Sequence, residues 1–264
     1  PIALAFWRWV IALGLTLPFA LPHLHAQAPI LRRHWKPLAV LGLLGVGGYN
    51  TFAYLALQHT TAINATLVNA FIPVATIALA WLLLGKRLGR GETAGVLISL
   101  VGVLTIVGHG DPATLLGLRL NTGDLWMLVA VLTWGLYTVG LRWRPEGLNP
   151  MLCLAAFTVV GLAVLAPAWV WEMSVEQKFI RPTVPAFLGM LYAGVFPGFL
   201  GYVFYNAGVA AVGPSRSALF IHLMPVFGTL LAALFLGERP AWYHFLGIGL
   251  VFAGIVLTTR SRSG

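Results

Sequence analysis

The sequence predicts an all-α, polytopic membrane protein. Hydrophobic residues make up 59% of the 264 residues and charged residues only 9%, whereas soluble domains carry about 25% charged residues. Apolar runs of about 20 residues, the length needed for a helix to cross a bilayer, recur along the whole chain. The runs are continuously apolar, so they differ from the alternating strands of about ten residues that are typical of a membrane β-barrel.

Nine apolar runs are long enough to span a membrane. They cover residues 1–21, 38–58, 62–84, 92–109, 124–142, 150–171, 186–211, 217–236 and 241–259. Proline, glycine and basic residues separate the runs and indicate turns. We therefore expect the first helix to end near Pro22, and the longest polar connections to cover residues 22–37 and 172–185.

Charge and cysteine content exclude several classes of function. The formal charge is +9, but the basic residues come in groups of one to three between apolar runs, a pattern that orients membrane proteins and does not predict a nucleic-acid partner. The single cysteine, Cys153, excludes a disulfide framework. The sequence contains no phosphate-binding loop, zinc-ligand spacing or catalytic triad. We expect no cofactor, metal site or catalytic residue, and we do not expect the protein to be an enzyme.

An internal repeat relates the two halves of the chain with an offset of 152 residues, the separation of Pro73 and Pro225. The matched pairs are Pro73-Val74 with Pro225-Val226, Leu84-Gly85-Lys86-Arg87 with Leu236-Gly237-Glu238-Arg239, Gly95 with Gly247, and Gly102 with Gly254. The run 124–142 opens the second half, and its counterpart would precede Pro1. We therefore expect nine visible helices and a tenth, N-terminal helix in the full protein.

Five helices per repeat is an odd number, so the two halves should cross the membrane in opposite directions. The predicted fold is an inverted 5+5 repeat, with helices 2–5 in residues 1–109 and helices 6–10 in residues 124–259. Inverted repeats are typical of secondary transporters, whose sites lie near the membrane midplane at the repeat interface.

The basic residues predict the orientation. With both ends of a ten-helix protein in the cytoplasm, the cytoplasmic segments would hold eleven of them: Arg32, Arg33, Lys36, Lys86, Arg87, Arg90, Arg142, Arg144, Arg216, Arg260 and Arg262. The outer side would hold Arg8, Arg119, Lys178, Arg181 and Arg239. This asymmetry follows the positive-inside rule and predicts a multi-pass protein of the bacterial inner membrane with a cytoplasmic C-terminus.

The repeated Pro and Leu-Gly-(Glu/Lys)-Arg segments, the glycine-spaced helix after each, and the arginine in Phe6-Trp7-Arg8-Trp9 resemble the drug/metabolite transporter superfamily. The chain is most similar to its EamA-type ten-helix exporters, including the branch that exports aromatic and other amino acids. The resemblance implies a central cavity and transport without ATP hydrolysis. Lys86 departs from the motif, since the second repeat has Glu238 at the matching position.

Polar side chains at membrane depth are the first candidates for a substrate site. His222 lies in the middle of its run and Asn69 is nearly symmetric to it in the first half. His222 either binds substrate or packs against a backbone carbonyl, and Asn69 either binds substrate or makes an interhelical hydrogen bond. Arg8 either captures a substrate carboxylate or extends to the lipid headgroups.

Aromatic residues near the middle of the runs carry hydroxyl or indole N–H groups that need partners in hydrocarbon. They are Tyr49, Tyr54, Trp134, Tyr137, Tyr202 and Tyr205. The alternative role for each is core packing or contact with lipid. We single out Tyr49, Trp134 and His222 as the leading substrate-binding candidates, followed by Asn69, Tyr202, Tyr205 and Arg8.

Three prolines, Pro73, Pro197 and Pro225, fall within spans, where each removes a backbone hydrogen bond. They either act as hinges beside a transport pathway or form static kinks.

The seven acidic residues all fall in predicted loops or at helix ends, which favours facilitated diffusion or exchange over a proton-driven mechanism. The predicted function is alternating-access export of small metabolites, foremost aromatic or other neutral amino acids. The alternatives are an intramembrane enzyme acting on a lipid-linked substrate, and a drug or nucleotide-sugar carrier. The expected partners are a small-molecule substrate and the lipid bilayer, with a monomer as the working assumption.

Overall fold

The computed structural model describes residues 2–117, 121–175, 183–237 and 239–260. Within these ranges, nine helical stretches are long and apolar enough to cross a membrane, which confirms the predicted number. In chain order they are α1 Ile2–Arg33, α2 Trp35–Ala56, α3 Ala62–Leu84, α4 Arg90–Val107, α5 Thr122–Trp143, α6 Pro150–Ser174, α7 Val184–Val212, α8 Pro214–Phe235 and α9 Trp242–Arg260. A short helix, Pro112–Leu116, precedes α5.

Helix α1 is longer than predicted. It continues through Pro18, Pro22 and Pro29 to Arg33, so the expected end near Pro22 and the polar connection 22–37 were wrong. Its 32 residues extend about 48 Å at the usual helical rise, whereas the hydrocarbon core is only about 30 Å thick. Tilting of the helix and extension of its end to the headgroup level accommodate the excess length, and Pro22 and Pro29 lie on the exposed surface of the helix.

Four spans are irregular, at positions related by the repeat. A π-helical segment, Leu43–Gly48, lies within α2, and its counterpart Gly194–Leu200 lies within α7 and contains Pro197. A turn at residues 70–71 divides α3, and a 3₁₀ turn, Phe220–His222, divides α8.

Two of the predicted hinge prolines lie directly after these interruptions. Pro73 is in the first turn of the segment Ile72–Leu84, and Pro225 is the third residue of Leu223–Leu231. Each proline therefore starts a new helical segment, because it lacks the amide N–H that would continue the previous one.

Helices α4 and α9 pack closely through glycines. A Cβ added at Gly95 would lie 2.6 Å from the carbonyl oxygen of Gly254, and one added at Gly102 would lie 2.7 Å from that of Gly247. The earlier glycine of α4 meets the later glycine of α9, and the later glycine of α4 meets the earlier one of α9, so the two helices are antiparallel. The repeat relates Gly95 to Gly247 and Gly102 to Gly254. The operation that superposes one half on the other therefore turns each of the two glycine contacts into the other, as two-fold symmetry requires.

Helices α1 and α6 also run antiparallel. At one end, the amide of Ala3 donates to a Glu172 carboxylate oxygen at 2.7 Å. At the other end, the amide of Asn149 donates to the side-chain oxygen of Gln27 at 2.8 Å. Corresponding helices of the two halves thus cross the membrane in opposite directions.

The turns at one side of the bundle contain most of the basic residues, and we call this the basic side. It includes Arg33, Lys86, Arg144, Arg216 and Arg260. Glu238 and the basic residues Arg119, Lys178, Arg181 and Arg262 lie outside the described residues.

Candidate functional site

Five aromatic side chains from three helices meet in the middle of the bundle, and we call them the aromatic cluster: Tyr49, Trp134, Tyr137, Tyr202 and Tyr205. Trp134 of α5 is central, with ring centroids 4.9 Å from Tyr49, 4.9 Å from Tyr205 and 5.4 Å from Tyr202. The ring of Tyr137 lies 5.5 Å away. A spacing of three residues places Trp134 with Tyr137, and Tyr202 with Tyr205, on one face of their helices.

Hydrogen bonds satisfy the polar atoms of this cluster. The indole Nε1–H of Trp134 donates to the Tyr205 hydroxyl at 3.2 Å, which also pairs with Thr138 Oγ1 at 2.9 Å. The Tyr49 hydroxyl donates to Asn69 Oδ1 at 2.9 Å. The structure therefore brings together Tyr49, Trp134, Tyr205 and Asn69, four of the residues that the sequence analysis selected as substrate-binding candidates.

Arg8 is buried, with 5% of its surface exposed, so the alternative that it extends to the headgroups is wrong. Its Nη1 donates to Asn50 Oδ1 at 2.7 Å and to the Tyr54 hydroxyl at 3.0 Å. Its Nη2 donates to the carbonyl of Pro197 at 3.1 Å. These partners are neutral oxygens, and the buried Nε has no hydrogen-bond partner in the described part of the chain.

Tyr202 connects the Arg8 network to the aromatic cluster. Its hydroxyl donates to the carbonyl of Gly45 in the π-helical segment of α2 and accepts a hydrogen bond from Asn50 Nδ2 at 3.4 Å. Asn50 and Tyr202 are 152 residues apart, so this contact joins equivalent positions of the two halves.

His222 lies outside the aromatic cluster. Its Nε2 pairs with the carbonyl of Ala70 at 2.9 Å and its Nδ1 with the Ser99 hydroxyl at 2.8 Å. The residue is 1% exposed and lies beside a buried apolar group that includes Val103 and Leu219. Of the two roles that the sequence left open, this geometry favours packing against a backbone carbonyl.

A cleft enters the bundle from the basic side between α5, α6 and α7. It consists of an apolar cavity of about 550 Å³ and an adjoining polar cavity of about 410 Å³. Both are lined by Leu141, Arg144, Asn206 and Ala210. We call them together the basic-side cleft.

Asn206 joins this cleft to the aromatic cluster, because its Oδ1 accepts a hydrogen bond from the Tyr137 hydroxyl at 2.7 Å. Tyr137 is itself fully buried. The amide thus lies at the boundary between the open cleft and the closed centre.

A second cavity, of about 390 Å³, lies between α3, α4 and α8 toward the other side of the membrane, and we call it the opposite-side groove. Met224 lines it, and the Met224 sulfur lies 3.9 Å from Asn69 Nδ2. A continuous series of contacts therefore connects the cleft to the groove, in the order Asn206, Tyr137, Trp134, Tyr49, Asn69 and Met224.

None of the seven predicted substrate-binding residues lines either cavity. Tyr49, Trp134 and Asn69 belong to the closed series of contacts between the cavities, Tyr202, Tyr205 and Arg8 adjoin it, and His222 lies apart from it. Sequence reasoning missed Asn50 and Asn206, which complete the polar network. The available signal was their position, since each asparagine directly follows a midspan tyrosine, Tyr49 or Tyr205, within an apolar run.

Three described carboxylates are buried near span ends. Glu92 forms an ion pair with Arg216 at 3.0 Å, and Asp124 accepts a hydrogen bond from the Thr60 hydroxyl at 2.6 Å. Glu172 caps the amino end of α1. Their positions agree with the sequence prediction that the acidic residues avoid the midspan.

Comparison with known proteins agrees with this architecture. The sequence profile described as "EamA-like transporter family" matches residues 1–108 and 121–260. The uncharacterized transporter YyaM of Bacillus subtilis is 25% identical over 97% of this chain and 83% of its own length. A probable terminal-alkyne amino-acid exporter of Streptantibioticus cattleyicolor is 29% identical over 86% of this chain and 74% of its own length.

One solved crystal structure superposes with a TM-score of 0.80 at 22% identity, covering 98% of this chain and 88% of the other. At this identity the similarity concerns the fold alone. The profile match covers nearly the whole chain, as the predicted resemblance implied. The protein is a membrane transporter that belongs to the EamA-like transporter family.

Proposed function

We propose that the protein exports neutral amino acids, aromatic or aliphatic, through the centre of the bundle by alternating access. The observation that carries the proposal is the series of contacts from Asn206 to Met224, which separates a cleft on the basic side from a groove on the opposite side. If these contacts open toward one side of the membrane while they close toward the other, a solute can cross without a continuous pore.

The lining of the basic-side cleft suits a solute with an apolar body and charged ends. Leu154, Phe157 and Val203 provide apolar walls, while Arg144 and Asn206 provide polar groups. The apolar cavity of about 550 Å³ falls within the range of roughly 300–1,000 Å³ that is usual for small-molecule sites. The exporter of S. cattleyicolor, named for an amino acid, supports the same substrate class.

Arg8 provides the attraction for the substrate carboxylate. Its charge is buried among neutral oxygens, and a buried cation without a carboxylate partner favours an anionic group nearby. Tyr202 and Asn50 place this charge next to the aromatic cluster. The rings of the cluster would contact the apolar body of the substrate.

The mechanism that we propose is facilitated diffusion or exchange. A proton-coupled carrier needs a titratable group that meets the substrate, and the carboxylates of Glu92, Asp124 and Glu172 have partners near the span ends.

The alternative of an intramembrane enzyme has less support. Among the described hydrogen bonds, one midspan pair joins a hydroxyl to an imidazole, namely Ser99 with His222. Neither residue lines the described cavities, where a substrate would bind.

The proposal includes an orientation in the membrane and a movement of the two repeats. The basic side is cytoplasmic by the positive-inside rule, in a bacterial inner membrane, so the cleft faces the cell interior. The repeats 1–109 and 124–259 move relative to each other, with bending at the interruptions beside Pro73, Pro197 and Pro225, and the monomer is the transporting unit.

Flux through purified protein in liposomes tests the function. We expect radiolabelled leucine and phenylalanine to exchange without ATP, and lysine, glutamate and nucleotide sugars to exchange poorly. Trp134→Ala should reduce flux about tenfold, as expected for a loss of about 1.4 kcal/mol from aromatic contacts. Trp126→Ala is the matched control, because Trp126 lies on the same helix and is 38% exposed.

Two results would contradict the proposal. If no amino acid is exchanged while a nucleotide sugar or a cationic drug is, the substrate class is wrong. If Trp134→Ala and Trp126→Ala transport equally well, the aromatic cluster does not belong to the pathway.

A further inference from the structure

A second cavity on the basic side is separate from the transport path. It is a groove of about 360 Å³ on the outer face of the bundle, between the second half of α1, the start of α2 and the first half of α6. Its lining is apolar throughout, and its residues are Leu17, Ala20, Leu21, Leu24, Leu31, Trp35, Leu38, Leu152, Ala155, Ala156, Val159 and Val160. We call it the α1–α6 groove.

The shape of this groove suits an acyl chain. From Leu17 to Leu31 along α1 the lining covers 14 helical steps, or about 21 Å at the usual rise per residue. Alanines on α1 and α6, namely Ala20 and Ala155, are buried, while leucines such as Leu21 are half exposed at the edge. The small alanines form the floor of the groove and the larger leucines form its edges, so a long furrow lies open to the lipid.

The basic-side end of the groove carries a cluster of positive charge. Arg32 and Arg33 follow the lining residue Leu31, and Lys36 follows the lining residue Trp35. The Lys36 ammonium lies 5.9 Å from the centre of the Trp35 ring, at the rim. All three cations are exposed.

The surroundings of the cluster remain positive. The first 91 residues of the chain contain no Asp or Glu. The loop that contacts this end of α1, through the bond from Gln27 to the carbonyl of Gly147, contains a single carboxylate, Glu146. The same loop also contains Arg144, so cations outnumber the single anion in this region.

We infer that the α1–α6 groove binds an anionic phospholipid, with one acyl chain in the furrow and the phosphate headgroup at Arg32, Arg33 and Lys36. Charge complementarity selects an anionic over a zwitterionic lipid, because basic residues at the membrane surface attract anionic headgroups. Trp35, half exposed at the headgroup level, is the type of residue that anchors this boundary. The site lies on the lipid-facing surface, so lipid reaches it without entering the transport path.

Native mass spectrometry of the purified protein, titrated with phosphatidylglycerol or phosphatidylcholine, tests the site. We expect the wild type to retain one phosphatidylglycerol molecule more tightly than phosphatidylcholine. Neutralising the cluster with R32Q/R33Q/K36Q should weaken phosphatidylglycerol binding about tenfold, because three charges that attract the headgroup are lost. It should leave phosphatidylcholine binding unchanged.

Two further variants locate the ligand. The triple variant K86Q/R87Q/R90Q removes three cations from another turn on the same side. It should change phosphatidylglycerol binding less than about twofold, because Arg32, Arg33 and Lys36 at the end of the α1–α6 groove keep their charge. Filling the furrow with Ala156→Trp, or with the milder Ala156→Leu, should reduce retention of phosphatidylglycerol although every charge remains. Circular dichroism and gel filtration verify that each variant is folded.

Three results would overturn the inference. The first is equal retention of the two lipids by the wild type. The second is equal weakening by the two triple variants, which would make the attraction a general effect of surface charge. The third is unchanged phosphatidylglycerol binding in both folded Ala156 variants, which would place the lipid elsewhere.

Discussion

His222 contacts its own counterpart in the other half of the protein: its Nε2 lies 2.9 Å from the carbonyl oxygen of Ala70, 152 residues earlier. The Ala70 carbonyl belongs to the interruption of α3, and His222 belongs to the interruption of α8. Because a carbonyl can only accept, Nε2 carries the proton, and in the neutral ring Nδ1 accepts from the Ser99 hydroxyl. The ring thus joins the two interrupted spans to α4.

Replacing His222 by alanine should destabilise the protein without abolishing substrate binding. A buried donor or acceptor left unpaired costs about 1–3 kcal/mol, and H222A leaves both the Ala70 carbonyl and the Ser99 hydroxyl without their partner. Thermal unfolding in detergent should show a lower midpoint for H222A and an intermediate one for H222Q, which keeps an N–H donor. A folded H222A protein that has lost leucine binding would instead assign His222 to the substrate.

The buried Arg8 gives a graded prediction. R8A leaves Asn50, Tyr54 and the Pro197 carbonyl without donors, at about 1–3 kcal/mol for each buried acceptor. R8K keeps the charge, but a single ammonium cannot reproduce the two-sided contacts of a guanidinium. The midpoint of thermal unfolding should therefore fall in the order wild type, R8K, R8A.

Transport separates the two roles of Arg8. If its charge attracts the substrate carboxylate, R8K should retain more amino-acid exchange than a neutral variant of similar shape, R8M. Equal exchange by R8K and R8M, at equal amounts of folded protein, would restrict Arg8 to holding α2 and α7 together.

The glycine contact between α4 and α9 predicts a large effect from one added methyl group. A Cβ at residue 102 would lie 2.7 Å from the Gly247 carbonyl oxygen and 2.8 Å from the Val251 amide nitrogen. These are backbone atoms that cannot move aside without separating the helices. Overpacking of this kind costs about 1–3 kcal/mol, so G102A should unfold at a clearly lower temperature.

The control for G102A is G249A on α9, where an added Cβ would have no heavy atom within 4 Å. Alanine is the better helix former, so G249A should be neutral or slightly stabilising. If the two variants unfold at the same temperature, the close approach of α4 and α9 is not what limits stability.

These positions show which features the sequence could predict. The number of spans follows from apolar length. The opposite directions of the halves follow because matched helices, such as α1 and α6, are five spans apart, which is an odd number. The depth of Tyr49 and Trp134 within their runs was sufficient to select them, since a polar group in hydrocarbon requires a partner. The repeat matches Gly102 with Gly254 and Gly95 with Gly247, but the contact between Gly102 and Gly247 is seen only in the structure.

Other features depend on tertiary contacts that no local pattern contains. Arg8 lies near the start of its helix, where the sequence left extension to the headgroups open. Its hydrogen bonds to Asn50, Tyr54 and the Pro197 carbonyl, which the structure reveals, explain its burial. Pro22 has the local character of a helix end, yet α1 continues to Arg33, and it is held against α6 from Ala3 at one end to Gln27 at the other. The separation of His222 from Trp134 depends on which faces of α5 and α8 meet, and residue depth does not specify this.

The single thiol of the chain reports on the basic-side cleft. Cys153 lines the cleft but is only 1% exposed, so a small methanethiosulfonate reagent should modify it slowly. In inside-out vesicles, where the cytoplasmic side faces the reagent, modification by a membrane-impermeant reagent should be faster than in right-side-out vesicles. Saturating leucine should slow the reaction, because a substrate in the cleft occupies the space in front of the sulfur.

Cys153→Ser provides the background for this measurement, since no other cysteine is present.

Asn206→Leu tests the link between the basic-side cleft and the aromatic cluster. The variant removes the acceptor of the Tyr137 hydroxyl, so the boundary between cleft and cluster should loosen and Cys153 should react faster. Modification at the same rate from both sides would contradict a cleft that opens on the basic side alone. If N206L is modified faster but leucine still protects Cys153, the substrate binds in the cleft before it reaches the aromatic cluster. If leucine no longer protects Cys153 in N206L, Asn206 contacts the substrate directly.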